Sequence, residues 1–280
     1  MKKIIAVFDG LKYSESAANY AVYMAKRTGS HLVGVFLDDF TYHSYKVYEL
    51  VNERGFINED KQATLDKQDE EMRAEAAGKF SKLCQAAALN YSVHHDRNIA
   101  IHELLHESVF ADLLVIENKE TFTHYEERIP TRFVRDLLSE VQCPVLVVPK
   151  RFNHFDKAVL LYDGEPASVY AIKTFCYIFS EFNDLQVEVF SVKDIKDSLH
   201  VPDNRLMKEF MKRHFPQAEF TVVKGDAANE ILDQLKGREK NFLVVLGAYN
   251  RGMVSRWFKP SMADILMEEL NKPLFIAHHT

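Results

Sequence analysis

Ile4-Ile5-Ala6-Val7-Phe8-Asp9-Gly10 and Ala158-Val159-Leu160-Leu161-Tyr162-Asp163-Gly164 decide the fold of this chain. Each is a short apolar run that ends in Asp-Gly. Such a run, rich in branched side chains and bounded by a turn, predicts a strand buried on both faces, as in a parallel sheet. The residues after the first copy supply a crossover. Ser14 opens a helical pattern with Ala17, Ala18, Ala21, Val22 and Ala25 on one side, and Gly29 closes it as a C-cap. Leu32–Leu37 reads as the next strand. Strand, helix, strand implies a right-handed parallel crossover.

The second copy keeps this order: strand Ala158–Tyr162, turn Asp163-Gly164, Ser168 as the helix cap, strand Val187–Val192. Asp-Gly-x-x-x-Ser occurs in both, at Asp9 and at Asp163. Leu113–Ile116 matches Leu243–Leu246 as a further buried strand. Each half closes with Pro before an apolar strand, Pro144 before Val145–Val148 and Pro273 before Leu274–Ala277. The pattern lapses between Lys150 and Asp156. So long a period implies a pair of domains rather than a solenoid. The expected class is α/β: two tandem doubly wound, Rossmann-like parallel sheets, residues 1–150 and 151–280. Further dimerisation of the whole chain stays open.

The first half carries an extra segment from about Phe40 to Asp69. It begins with Tyr42, His43, Tyr45 and Tyr48 and becomes a charged helix. Leu65, Met72, Ala76, Phe80, Leu83 and Ala87 predict its apolar stripe. The tyrosines either cover core or form a flap that contacts a ligand or partner.

Composition bounds the function. The 280 residues are 47% hydrophobic and 27% charged, with a formal net charge of −6. No block of Lys and Arg offers a basic face for nucleic acid. No run approaches the ~18 apolar residues of a membrane span. Asp9 ends the N-terminal apolar run too early for a secretory signal. Cys84, Cys143 and Cys176 are scattered and read as reduced, buried thiols. Together these features predict a cytoplasmic protein.

In open α/β sheets ligands sit beyond the carboxyl ends of the strands. There the second half reads Gly247-Ala248-Tyr249-Asn250-Arg251-Gly252, then Ser255-Arg256 and Pro260-Ser261-Met262. Gly247 permits close backbone approach, Gly252 helps build a nest of N–H groups, and Ser261 caps a helix whose N-terminus favours an anion. This pattern resembles the universal stress proteins, whose ATP-binding members carry Gly-x-x-Gly, a nine-residue spacer, then Gly-Ser or Gly-Thr. Counted from Gly247, Ser261 falls at the Ser position and Ser255-Arg256 where many members have Ser-Arg. Asn250 and Pro260 stand where that pattern has glycine. The resemblance covers nearly the whole chain, twice. It implies that Asp163 and Gly164 lie near the adenine or ribose, that Val192 lines the base pocket, and that Gly247, Asn250, Gly252, Ser261 and Met262 face the phosphates of ATP or another adenine nucleotide. Asp9 and Leu37 are the counterparts in the first half. There Glu117 replaces Gly247, Phe122 replaces Gly252, and Pro130-Thr131 matches Pro260-Ser261. A glutamate at that turn would repel phosphate, so the first site reads as degenerate.

His102-Glu103-Leu104-Leu105-His106 matches the H-E-x-x-H helix of zinc proteases. Its counterpart, Asn229-Glu230-Ile231-Leu232-Asp233, lacks both histidines, and no strong third ligand follows. A solvated helix face is therefore expected, and no resident metal; surface metal capture by His102 and His106, with His94 or His95, stays the alternative. No nucleophile–base pair stands out. The resemblance implies stress-linked sensing or scaffolding with a protein partner; since members of the family often dimerise through the last strand, it also implies that Val145–Val148 and Leu274–Ala277 pair edge to edge within the chain, a pseudo-dimer that covers edges otherwise open to aggregation. The rival readings are an ATP-hydrolysing or adenylyl-transferring enzyme using Asp163, and an interaction module that binds no nucleotide.

Overall fold

The computed structural model describes residues 2–38, 42–51, 56–96, 99–238, 241–247 and 261–277. The first half runs β1 (Lys3–Asp9), α1 (Glu15–Thr28), β2 (His31–Leu37), α2 (Glu59–Ala86), β3 (Tyr91–Asp96), α3 (Ala100–Ser108), β4 (Leu113–Glu117), α4 (Arg132–Glu140) and β5 (Val145–Val148). The second runs β6 (Lys157–Leu161), α5 (Pro166–Ile178), β7 (Gln186–Lys193), α6 (Asn204–His214), β8 (Glu219–Lys224), α7 (Ala227–Lys236), β9 (Phe242–Gly247), α8 (Met262–Glu269) and β10 (Leu274–Ala277). The strands form a single sheet in the order β3-β2-β1-β4-β5-β10-β9-β6-β7-β8. The second half therefore repeats the strand order of the first, reflected about the centre.

Alternation along each strand feeds two helix layers. Ile4, Ala6 and Phe8 of β1 join the layer of α1, α2, α5 and α6, whereas Ile5 and Val7 join that of α3, α4, α7 and α8. Both faces of the sheet are thus covered, which is why its strands read as continuous apolar runs. Each fully buried Ile, Val or Phe contributes roughly 1.5–3 kcal/mol. No described helix is long and apolar enough to cross a membrane. The three cysteines are buried and free, and burial pushes each thiol up to about 12.

The expected pairing of the closing strands is present. β5 and β10 run antiparallel, with Leu146 opposite Phe275; the pairings inside each half are parallel. Around this seam Ser16 Oγ donates to the Pro149 carbonyl at 2.6 Å. Arg27 reaches across to Asp184, an exposed pair of little worth for stability.

Two local expectations need correction. Ser168 does not cap α5. Pro166 occupies the first turn and Glu165 is the N-cap; the fixed φ of proline starts the helix early, so Ser168 falls inside it. In α2 the buried residues are Asp69, Ala76, Phe80 and Cys84, whereas Met72 is 41% exposed and Leu65 half-buried. The first turns of α2 turn a polar face inward because a strap, residues 42–50, lies on it. Ser44 N donates to Asp69 Oδ2 at 3.0 Å, Tyr45 donates to Asp66, and Tyr42 and Tyr45 are buried while Tyr48 is exposed.

Candidate functional site

The chain reverses direction of winding between β1 and β4 in the first half and between β6 and β9 in the second. A crevice opens at each such switch point beyond the strand ends. The two crevices carry the same sequence framework and differ in chemistry.

In the second half Asp163 and Gly164 follow β6, Gly247 ends the adjoining β9, and Val192 lies near the end of the adjoining β7. All four share one edge of the sheet. Asp163 is exposed, and its Oδ1 accepts from Glu165 N at 2.9 Å and from Ser168 Oγ at 2.6 Å. It thereby builds the turn into α5. Gly164 has φ +92° and packs against Pro202, a conformation that L side chains rarely adopt. A Cβ on Gly247 would lie 2.5 Å from the Ala167 carbonyl oxygen. Glycine is therefore required here to bring the end of β9 against the first turn of α5.

At the far end of the loop Ser261 is the N-cap of α8. Its Oγ accepts from Asp264 N at 3.1 Å, and the Asp264 carboxylate accepts from Ser261 N at 3.3 Å, a reciprocal capping box. Asp264 thus places its own negative charge at the helix terminus. Met262 is half-buried against the α3/α4/α7/α8 layer. Asn250 and Gly252, and the arginines and Pro260 between them and Ser261, lie outside the described residues.

The first half is built differently. Ser14 is the true N-cap of α1, accepting from Ala17 N at 3.1 Å, and its hydroxyl donates to Glu117 at the end of β4. Glu117 therefore ties the end of β4 to the start of α1, where the second half uses the close approach at Gly247. Ser14→Ala is expected to cost about 1–2 kcal/mol through the lost cap and the stranded carboxylate, read by urea unfolding. Asp9 is 1% exposed and Glu120 5% exposed. Burial pushes the Asp9 carboxyl up to about 6, against the pull of the Leu11 amide and Lys12. Burial, reinforced by Asp9 and Glu117, holds Glu120 well above the usual carboxylate range. Beside them lie cavities of about 470 and 680 Å³ that share Lys12, Lys119 and Thr121 in their walls.

Chain groups also fill this crevice. Tyr42 packs on Phe122 and His124, at ring separations of 6.1 and 5.2 Å, under the Lys12 ammonium. Phe122 therefore serves packing, and it continues onto Phe133. Thr131 caps α4 through Val134 N. The Glu127 carboxylate accepts from Arg132 N at 2.6 Å and from the Thr121 hydroxyl at 3.0 Å. A carboxylate of the chain itself occupies the anion-favouring end of α4.

His102 and His106 are exposed on α3, and among the described residues no group of three His, Cys, Asp or Glu side chains is arranged to hold a metal ion.

The sequence model of the universal stress protein family matches residues 1–149. The chain belongs to that family. A universal stress protein of Synechocystis is 23% identical over 272 residues, covering 91% of this chain and 92% of the relative. The crystal structure of a universal stress protein from Archaeoglobus fulgidus superposes with a TM-score of 0.72, at 14% identity, over 99% of this chain and 98% of that one. The tandem universal stress fold thus extends over both halves. What the residue patterns did not disclose is the buried Asp9–Glu120 cluster. Glu120 gives no signal in the sequence, because groups that lie near it, Tyr42 and the Thr131 hydroxyl that donates to its carbonyl, come from elsewhere along the chain.

Proposed function

We propose that this universal stress protein comprises two domains, residues 1–150 and 151–280, and acts in the cytoplasm as a non-catalytic sensor or scaffold. Its C-terminal domain takes an adenine nucleotide, and the chain reports that state to a protein partner. One observation carries the reading. At the switch point of the second half an exposed carboxylate, Asp163, adjoins a residue without a side chain, Gly247. The corresponding edge of the first half presents the buried Asp9 and a side-chain-bonded Glu117. Asp163 can accept from ribose hydroxyls or the adenine amine, and the loop to Ser261 would meet the phosphates. Protein purified without added nucleotide is denatured and the released small molecules are identified by mass spectrometry. Adenine nucleotide in the supernatant, or a rise in melting temperature on adding ATP that Asp163→Ala removes, is the expected result. Neither signal in wild type ends the proposal.

Asp264 favours a second reading, an interaction module without nucleotide. Its carboxylate already satisfies the start of α8 and would repel a phosphate there. ATP turnover lost on Asp163→Ala would instead support an enzyme.

A further inference from the structure

A cavity of about 490 Å³ lies where the two halves meet. Asp156, Leu185 and Asn241 line it, and they immediately precede β6, β7 and β9. It therefore sits at the opposite end of these strands from Asp163, which follows β6. The first half supplies Tyr23 and Arg27 from the C-terminal part of α1, and the segment that joins the halves supplies His154 and Phe155. The walls come together only when the halves are docked. Junctions of this kind, with cavities of this size, are where small molecules bind.

The floor is aromatic. Phe155 and Phe182 are buried with their rings parallel, 6.4 Å between centres. Tyr23 stands edge-on to both, at 5.5 and 5.9 Å. Packing fixes the joining segment against α1. Phe152 meets Tyr20 at 4.7 Å, His154 meets Tyr23 at 4.9 Å, and Asn153 N donates to the Tyr20 hydroxyl at 3.3 Å. A wall held before a ligand arrives lowers the ordering cost of binding.

The rim carries both signs. Arg27 lies over the Phe182 ring, 4.4 Å from its centre, and its two terminal nitrogens donate to the Asp184 carboxylate, one of them at 3.2 Å. The Asp184 side chain is 73% exposed. An ion pair so open to water contributes little and exchanges its partners at small cost. Asp156 adds a second exposed carboxylate. Lys272, beyond the rim, donates to Asn241 Oδ1 at 3.3 Å and lies over the Phe242 ring.

These charges select the ligand. A simple anion would meet Arg27 but also two carboxylates. A simple cation would meet the carboxylates but find the face of Phe182 already covered by the guanidinium. An uncharged ring would leave the rim unanswered. A zwitterion with an aromatic side chain answers all three, and it exchanges one set of charge-assisted hydrogen bonds for another. We propose that this cavity binds a free aromatic α-amino acid, its carboxylate on Arg27, its ammonium on Asp184 and Asp156, and its ring against Tyr23, Phe155 and Phe182. The bound molecule joins α1 of the first half to the turn after α5 of the second. The cavity lies apart from the nucleotide crevice, so the two sites stand or fall separately.

Isothermal titration calorimetry of the full chain with L-phenylalanine tests the site. L-Alanine, 3-phenylpropionate and phenethylamine each lack one of the three groups, and each is expected to bind about tenfold or more weakly than L-phenylalanine. Arg27→Gln and Asp184→Asn are each expected to weaken L-phenylalanine about tenfold. Arg27→Gln should also remove the preference for L-phenylalanine over phenethylamine, and Asp184→Asn should reduce that over 3-phenylpropionate. A merely structural loss would weaken the analogues alike and leave both preferences. No binding of L-phenylalanine, L-tyrosine or L-tryptophan at about 5 mM would overturn the site. So would equal affinity of wild type for 3-phenylpropionate or phenethylamine, or unchanged affinity for L-phenylalanine in either variant. Should Arg27→Gln fail to fold, Asp184→Asn, at its exposed position, and the three analogues decide.

Discussion

Glu188→Gln is expected to destabilise the folded chain by about 3 kcal/mol near neutral pH, read by chemical denaturation. Glu188 lies in β7 and is 3% exposed. Its Oε2 meets Lys157 Nζ at 2.7 Å, and both its oxygens accept from Arg238, at 2.6 and 3.1 Å. Burial alone would raise its pKa. The bidentate guanidinium and the ammonium overcome that and hold the carboxyl at about 2. The variant leaves two partly buried cations without their shared anion, the costly case for a buried ion cluster. A depressed folded value contributes stability that is complete above the unfolded value and is lost as pH falls through the folded one. Wild type should therefore weaken from about pH 4.5 toward about pH 2, and the variant should lose that part of its acid dependence. This trend is opposite in sign to the one set by Asp9, whose value, raised from 3.8 to about 6, costs stability as pH rises through that interval, so the two halves contribute opposing pH slopes.

Gly247→Ala is expected to cost about 2 kcal/mol in the absence of any ligand. The added Cβ would stand 2.5 Å from the Ala167 carbonyl oxygen and 2.7 Å from its carbon. These are backbone atoms in the first turn of α5, so relief requires β9 and α5 to part. A thermal melt without nucleotide checks it; an unchanged melting temperature would show that the approach relaxes at no cost. The result governs how a binding assay is read. Loss of nucleotide in Gly247→Ala would report the distorted turn as well as any loss of ligand contact. Asp163→Ala adds no bulk, but it removes the acceptor of Glu165 N and Ser168 Oγ, so its binding result is read against its own ligand-free melt.

The fold was legible because its signals are local. An apolar run ending in Asp-Gly, a Ser-led helix and a Pro-led closing strand each declare themselves within about ten residues, and their recurrence gave the two-fold architecture; the β5–β10 pairing came from the family resemblance, not from these local signals. Pro166 shows how one local signal outranks another: the Asp-Gly-x-x-x-Ser spacing matched in both halves, yet proline moved the start of α5 and gave Ser168 to Asp163 instead of to the cap. The polar face of α2 was not legible. Asp69 sits where an apolar stripe was expected, and its burial depends on the amide of Ser44, 25 residues earlier. The same limit separates Asp9 from Asp163. Their local sequences agree, but Tyr42 and Glu120 enclose only the first.

The antiparallel seam also changes what substitution can do. In an assembly of two identical chains, every replacement appears twice, and neither crevice can change without the other. Here one covalent chain supplies both partners, so the complementary strand is always at hand regardless of dilution. Because β5 and β10 run in opposite directions, the two crevices open at opposite ends of the sheet. No single small ligand spans them, and each can be altered by substitution while the other stays as it is. A symmetric contact between unlike halves thus leaves each crevice free to differ from the other.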